Sequence, residues 1–247
     1  MAKHVGKAGK QTRRLAKKRA FILYGYLALL LVLGFFLLKF AAVLPRSWSW
    51  LTSTVGFLGL GLWGAAIYLY VTENKNIDES IDRALRGSKG EEKAGTLLSG
   101  LPDEYLVFHD ISCPVGNIDH VVLGPTGIFI VETKSHSGTI TASAEGKLLR
   151  NGKPLEKDVV KQVWQQVSWL KKTLKSRLED TVFIHPLLVF VNGFVQVRNP
   201  VKGITVIPGK WLVETITNKK NRLAAQKFDR IQRVLWELSS PAHPKEM

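Results

Sequence analysis

Asp119, Glu132 and Lys134 are the residues of this 247-residue chain whose types and spacing could do chemistry. They flank a Gly124-Pro125-Thr126-Gly127 turn within the stretch from Gly116 to Lys134. Counting outward from Pro125-Thr126 sets Asp119 opposite Glu132. Directly opposed residues of an antiparallel pair share a sheet face, with Cβ atoms about 4.5–5.5 Å apart. Lys134 lies two residues beyond Glu132 and projects from that same face. Two carboxylates held this close repel each other, and a divalent cation would relieve the conflict. An Asp, a Glu-x-Lys and a metal form an arrangement suited to cutting phosphodiesters. That hydrolysis needs a nucleophile at neutral pH, charge neutralisation at phosphorus and a stabilised leaving group. Hard carboxylate oxygens favour Mg²⁺ or Mn²⁺. Lys134, a compact point charge, would orient hydroxide or neutralise the charge that develops at phosphorus.

Both faces of the expected hairpin are apolar. Val121, Leu123, Ile128 and Ile130 share the Asp119 face, and Ile118, Val122, Phe129 and Val131 line the other. Such a hairpin belongs in the middle of a sheet, where buried charges need partners. Around it the pattern predicts a helix over 89–99, stopped by Gly100-Leu101-Pro102, and a strand over 104–110. The hairpin strands are expected at 115–123 and 127–135, and a further strand at 147–150 before the Asn151-Gly152 turn. Val160, Val163, Val167, Leu170 and Leu174 mark a helix over 157–178. Strands at 184–191 and 204–207 and an amphipathic helix at 222–238 complete the domain. The sum is an α/β fold, a mixed β-sheet flanked by helices.

Gly90-Glu91, Gly116-Asn117-Ile118-Asp119, Gly124-Pro125-Thr126-Gly127, Glu132-Thr133-Lys134 and Gln162 together resemble the nuclease-related domain family, NERD. The resemblance spans about residues 88–207. That family belongs to the PD-(D/E)xK, restriction-endonuclease-like superfamily. The resemblance implies a restriction-endonuclease-like sheet and a metal-dependent nuclease, with DNA favoured over RNA as substrate. It would make Asp119 and Glu132 metal ligands, helped by a backbone carbonyl near Thr133, with Lys134 acting on the attacking water. Glu91 would approach the same cluster from the first helix, and Gln162 from the long one. The usual Asn-Pro ahead of that glutamine reads Asp158-Val159 here, which leaves the start of the long helix open. The alternative is a non-catalytic module that keeps the fold and binds nucleic acid or a protein.

The N-terminal third has another character. Residues 21–44 and 48–71 are apolar runs of bilayer-spanning length, and the first twenty residues carry Lys3, Lys7, Lys10, Arg13, Arg14, Lys17, Lys18 and Arg19 with no acid. The only charges from residue 21 to residue 71 are Lys39, near the outer end of the first run, and Arg46 in the turn. Positive residues stay on the cytoplasmic side, so the expectation is a two-pass protein of a bacterial inner membrane with both termini inside. The same basic charge suits anionic lipid headgroups. Residues 72–88 would continue the second span as a helix or form a linker, and 89–240 would form the cytoplasmic domain. The formal charge of +15 is thus concentrated in the tail.

Several signals carry little. The lone Cys113 excludes an internal disulfide framework and any multi-cysteine zinc site. Gly59-Leu60-Gly61-Leu62-Trp63-Gly64 matches a nucleotide-binding pattern but lies inside an expected span. His109, His120 and His136 lack metal-ligand spacing, and His120 is expected on the face opposite Asp119.

Overall fold

The computed structural model describes residues 1–43, 49–155, 158–220 and 222–240. The expected turn at Pro45, Arg46 and Ser47, the flanking Leu44 and Trp48, and Lys157 lie outside them. The chain forms two compact units, residues 12–85 and residues 1–11 with 86–247.

The first unit is built from helix α1 (Lys10–Val43) and most of helix α2 (Ser49–Leu98). Within α1, Ala16–Phe36 has a mean hydropathy of 2.0 and only 6% of it is buried. It is the one stretch among the described residues long and apolar enough to cross a bilayer. Phe21, Leu29 and Phe36 are all exposed there, and large exposed apolar patches mark interaction surfaces. At Gly34 the Trp63 ring would lie 2.4 Å from any Cβ, and the Trp63 indole N–H donates to the Leu30 carbonyl at 2.7 Å. The missing side chain lets the ring lie against the helix backbone, as small residues do between apolar helices. Helix α2 runs unbroken through residues 72–88, the segment open to either a helix or a linker.

The second unit is a mixed eight-stranded sheet with helices on both faces. Its strands are β1 (Lys3–Val5), β2 (Leu106–Cys113), β3 (Gly116–Gly124), β4 (Gly127–Ala142), β5 (Leu148–Arg150), β6 (Lys153–Pro154), β7 (Ile184–Val195) and β8 (Thr205–Pro208). Strand β4 is the spine. One edge pairs antiparallel first with β3 and farther on with β5, while the other edge pairs parallel with β7. Helix α3 (Val159–Leu178) and helix α5 (Ala225–Ser239) cover one face with Val163, Leu170, Leu174, Ile231 and Leu235. Burying each such side chain contributes about 1.5–3 kcal/mol. The end of α2 and helix α4 (Leu212–Thr217) cover the other face, meeting Val122, Phe129 and Val131 through Ala94, Leu98 and Leu212. The hairpin turn is fixed from outside. Tyr105 and Thr126 hydroxyls lie 2.9 Å apart, and the Thr126 hydroxyl donates to the Ile216 carbonyl at 2.9 Å. Any Cβ at Gly124 would fall 2.1 Å from the Tyr105 ring, so only glycine fits.

The sequence pattern gives no hint of β1, since three residues carry no periodicity. Its residues Lys3, His4 and Val5 pair parallel with Leu106, Val107 and Phe108 on β2, so the start of the basic N-terminal segment belongs to the sheet. A row of imidazoles locks it there. His4 Nδ1 lies 2.8 Å from His109 Nε2, and His109 Nδ1 lies 2.7 Å from His120 Nδ1. His4 Nε2 reaches the Ser99 hydroxyl at 3.2 Å, and His120 Nε2 is buried without a partner. A buried orphan acceptor is tolerated more readily than an orphan N–H. That assigns the lone pair to His120 Nε2 and makes every donor in the row point outward, from His120 to Ser99.

Candidate active site

The site forms where β3 and β4 part. Their ladder ends at His120 opposite Val131, one position short of Asp119 and Glu132. The Thr133 amide, beyond the last rung, donates to Asp119 Oδ2 at 2.8 Å. Asp119 alternates with Val121 and Leu123, which pack under α3, so it shares the α3 face with Glu132.

Helix α3 supplies the partners of Glu132, which is 2% exposed. Glu132 Oε1 accepts from Lys134 Nζ at 2.6 Å and from Gln162 Nε2 at 2.8 Å. Glu132 Oε2 accepts from Gln166 Nε2 at 2.8 Å. Gln162 Oε1 in turn accepts from Lys134 Nζ at 3.3 Å. Gln162 and Gln166 stand one helical turn apart, so both amides project to the same side. The helix start left open by the Asp158-Val159 departure is resolved here. Asp158 is the N-cap, its carboxylate accepting the Lys161 N–H at 3.0 Å, a role that aspartate fills as well as asparagine.

Glu91 comes from α2. A Cβ at Gly90 would lie 2.8 Å from Ser135 Cβ, so the absent side chain lets α2 approach β4 closely and brings Glu91, itself buried, toward the acids. The structure therefore gathers Asp119, Glu132, Lys134 and Gln162, with Glu91 near enough for its charge to act on Asp119. Sequence reasoning missed Gln166, the Thr133 amide and the Asn117 carbonyl that Gln166 also reaches. The signal available was a second glutamine four residues after Gln162.

Electrostatically the cluster is short of positive charge. Burial first, then the charges of Glu132 and Glu91, push the Asp119 carboxyl well above the usual carboxylate range against the opposing pull of Lys134 and the Thr133 N–H. Burial alone would lower Lys134, but Glu132, Asp119 and Glu91 outweigh it and the ammonium is held above its ordinary pKa. Lys134 is therefore a fixed cation at neutral pH. Burial, assisted by the charge of Glu132, raises the Cys113 thiol against a Val115 backbone hydrogen bond, which makes Cys113 a poor nucleophile.

Among the described residues, no three His, Cys, Asp or Glu side chains stand close enough together to form an all-protein metal cage. The donor set nevertheless fits a cation that takes one or two carboxylates and completes its shell with water and substrate oxygen, the habit of Mg²⁺. Two carboxylates share one face, and beside Glu132 the Gln166 Oε1 is a buried acceptor without a partner. A cation would supply the missing countercharge.

Residues 86–191 match the family model of the nuclease-related domain, NERD. Over 64 residues the chain is 38% identical to an uncharacterized protein of Bacillus anthracis, a match covering 24% of this chain and 30% of that protein. The chain thus spans less than a third of the curated relative it matches. No solved structure matches it.

Proposed function

We propose that the domain is a divalent-metal-dependent nuclease of the restriction-endonuclease-like type, hydrolysing nucleic-acid phosphodiesters, DNA before RNA, and tethered to a bacterial inner membrane. The observation that carries this is the Asp119–Glu132–Lys134 cluster at the end of the β3–β4 ladder, within the part of the chain that matches the nuclease-related domain.

Asp119 and Glu132 would hold Mg²⁺ or Mn²⁺. Bound there, the ion would polarise a phosphoryl oxygen and acidify water. The chain's own groups do the rest. Glu132 is aimed by Gln162 and Gln166. Lys134, kept protonated by three carboxylates, is suited to stabilise charge at phosphorus rather than to abstract a proton. Gln162 fixes the ammonium by accepting from it. Glu91 adds negative charge that strengthens the demand for a cation.

Connectivity supports the two-span form of the tether. The chain leaves the sheet-bearing unit at residue 12 and rejoins it at residue 86, so it crosses any bilayer an even number of times. If Ala16–Phe36 crosses once, a return crossing must lie before residue 86, and the uncharged run 48–71 is suited to it. This supports two spans with both termini cytoplasmic.

The test is cleavage of single- and double-stranded DNA and RNA with Mg²⁺ or Mn²⁺, beside Asp119→Ala, Glu132→Ala and Lys134→Ala. Cleavage by the parent that is lost in all three supports the proposal, and equal cleavage by all four preparations overturns it. A parent that binds nucleic acid without cutting it would favour the binding-module reading. The hydrogen bonds that already occupy both oxygens of Glu132 lend that reading its support.

A further inference from the structure

We infer that Gln166 is a positioning residue that bridges the two strands carrying Asp119 and Glu132 and presents one oxygen of Glu132 to the cation. The inference rests on the metal-dependent reading above and deepens it.

Past His120 and Val131 no backbone rung joins β3 to β4. Gln166 stands in that gap. Its single amide nitrogen donates to the Asn117 carbonyl of β3 at 3.0 Å and to Glu132 Oε2 of β4 at 2.8 Å. Both N–H groups are thereby used, one on each strand. Asn117 is two residues from Asp119, so this bridge sets how far apart the two acid-bearing strands stand.

The amide orientation is forced. Both partners are acceptors, and a flipped side chain would turn its own oxygen on a carbonyl and a carboxylate. The consequence is that Gln166 Oε1 is left buried without a donor, which carries an uncompensated desolvation cost. With Gln166 only 1% exposed, an apolar side chain would fill this space without that cost.

The lone pairs say what the arrangement achieves. A carboxylate offers about four acceptor sites. Two on Oε1 are taken by Lys134 and Gln162 and one on Oε2 by Gln166. One site on Oε2 remains for a ligand, and Gln166 fixes its direction. Gln162, by contrast, acts on the oxygen that Lys134 already occupies.

The experiment is calorimetric titration of the detergent-solubilised full chain with Mn²⁺, without nucleic acid. Gln166→Met keeps the volume and removes both donors. Gln166→Asn keeps an amide too short to reach both strands, and it provides the measurement if the Met variant does not fold. Outer-shell partners of metal ligands are worth 10–100-fold in affinity, and we expect Mn²⁺ binding weakened by about that factor in each variant. Cleavage by these variants should recover as Mn²⁺ is raised, whereas Lys134→Ala should not recover. A parent that binds Mn²⁺ beside variants within twofold of it overturns the role of Gln166 and leaves the nuclease reading standing. A parent that binds neither Mn²⁺ nor Mg²⁺ overturns both.

Discussion

The backbone N–H of Thr133 donates to the carboxylate of Asp119 at 2.8 Å, just where the ladder between their strands has stopped. The side chain takes a donor that would otherwise serve the sheet, which holds the carboxylate near Glu132 despite their repulsion. Burial, then Glu132 and Glu91, raise the Asp119 carboxyl. A group whose folded pKa lies above its unfolded value contributes stability at low pH and loses it as pH rises through the folded pKa. Without metal, Asp119 is therefore a liability at neutral pH. Asp119→Asn, which keeps the acceptor for Thr133, should raise the melting temperature of the metal-free protein at pH 7 by a few degrees, on the scale of about 2–4 °C per kcal/mol. Mg²⁺ should raise the melting temperature of the parent and leave that of the variant unchanged. Thermal melts with and without Mg²⁺ decide it, and a variant less stable than the parent in the absence of metal would refute the account.

Lys134 is held protonated by Glu132, Asp119 and Glu91 against its own burial, so its contribution is charge at a fixed point. Lys134→Met should lower kcat by about 10²–10³, the cost of removing one transition-state donor. Lys134→Arg should not restore it, because the planar guanidinium cannot hold the position set by Glu132 Oε1 and Gln162 Oε1. The pH–rate profile of the parent should show no limb near neutrality that Lys134→Met removes. Finding one would make Lys134 the base instead.

How much of this was legible beforehand depends on where the information sits. Alternation and a two-residue turn placed Asp119, Glu132 and Lys134 on one face because strand period and hairpin register are local. The helix bearing Gln162 was equally readable from Val163, Val167, Leu170 and Leu174. The ladder's early end was not. It arises because β4 leaves β3 and goes on beside β7, with a register irregularity between Lys134 and Ser137, a long-range choice with no local signature. Gln166 was invisible for the same reason, since its meaning depends on the gap it fills. Strand β1 and helix α4 were too short for any period to register. The pairing of His4 with His109 joins residues 105 positions apart, beyond what spacing can suggest.

That imidazole row predicts an acid-sensitive fold. Burial, with the charge of His4 adding to it, lowers the pKa of His109 to about 4, and burial with the neighbouring imidazoles also holds His120 well below its ordinary value. Both are neutral in the native state and must take up protons on unfolding. Their stabilising contribution is whole above the unfolded value of about 6.5 and is lost as pH falls from there toward 4. Urea midpoints measured at steps between pH 7.5 and 4.5 should fall across that window. His109→Leu should start lower, because it strands His4 and His120, but should show a shallower slope. A slope identical to that of the parent would remove histidine protonation as the cause.

Gly90 and Ser135 make the last case, because their contact sets how closely α2 approaches the acids. A methyl at position 90 would meet Ser135 Cβ at 2.8 Å, and crowding of this kind costs about 1–3 kcal/mol. Gly90→Ala should therefore destabilise the domain and, by moving α2, withdraw Glu91 from Asp119. The withdrawal should lower the Asp119 carboxyl toward its ordinary range, since Glu91 is one of the charges raising it. Ser135→Gly removes the opposing Cβ and should rescue part of the loss. The double-mutant coupling should be about 0.5–3 kcal/mol in the rescuing direction, the range for residues in contact. Denaturant titration of the four proteins gives the coupling, and NMR titration of the Asp119 carboxyl reports the movement of Glu91. Additive stabilities would show that α2 can shift without meeting Ser135, and an unmoved carboxyl titration would separate Glu91 from the charge balance of the site.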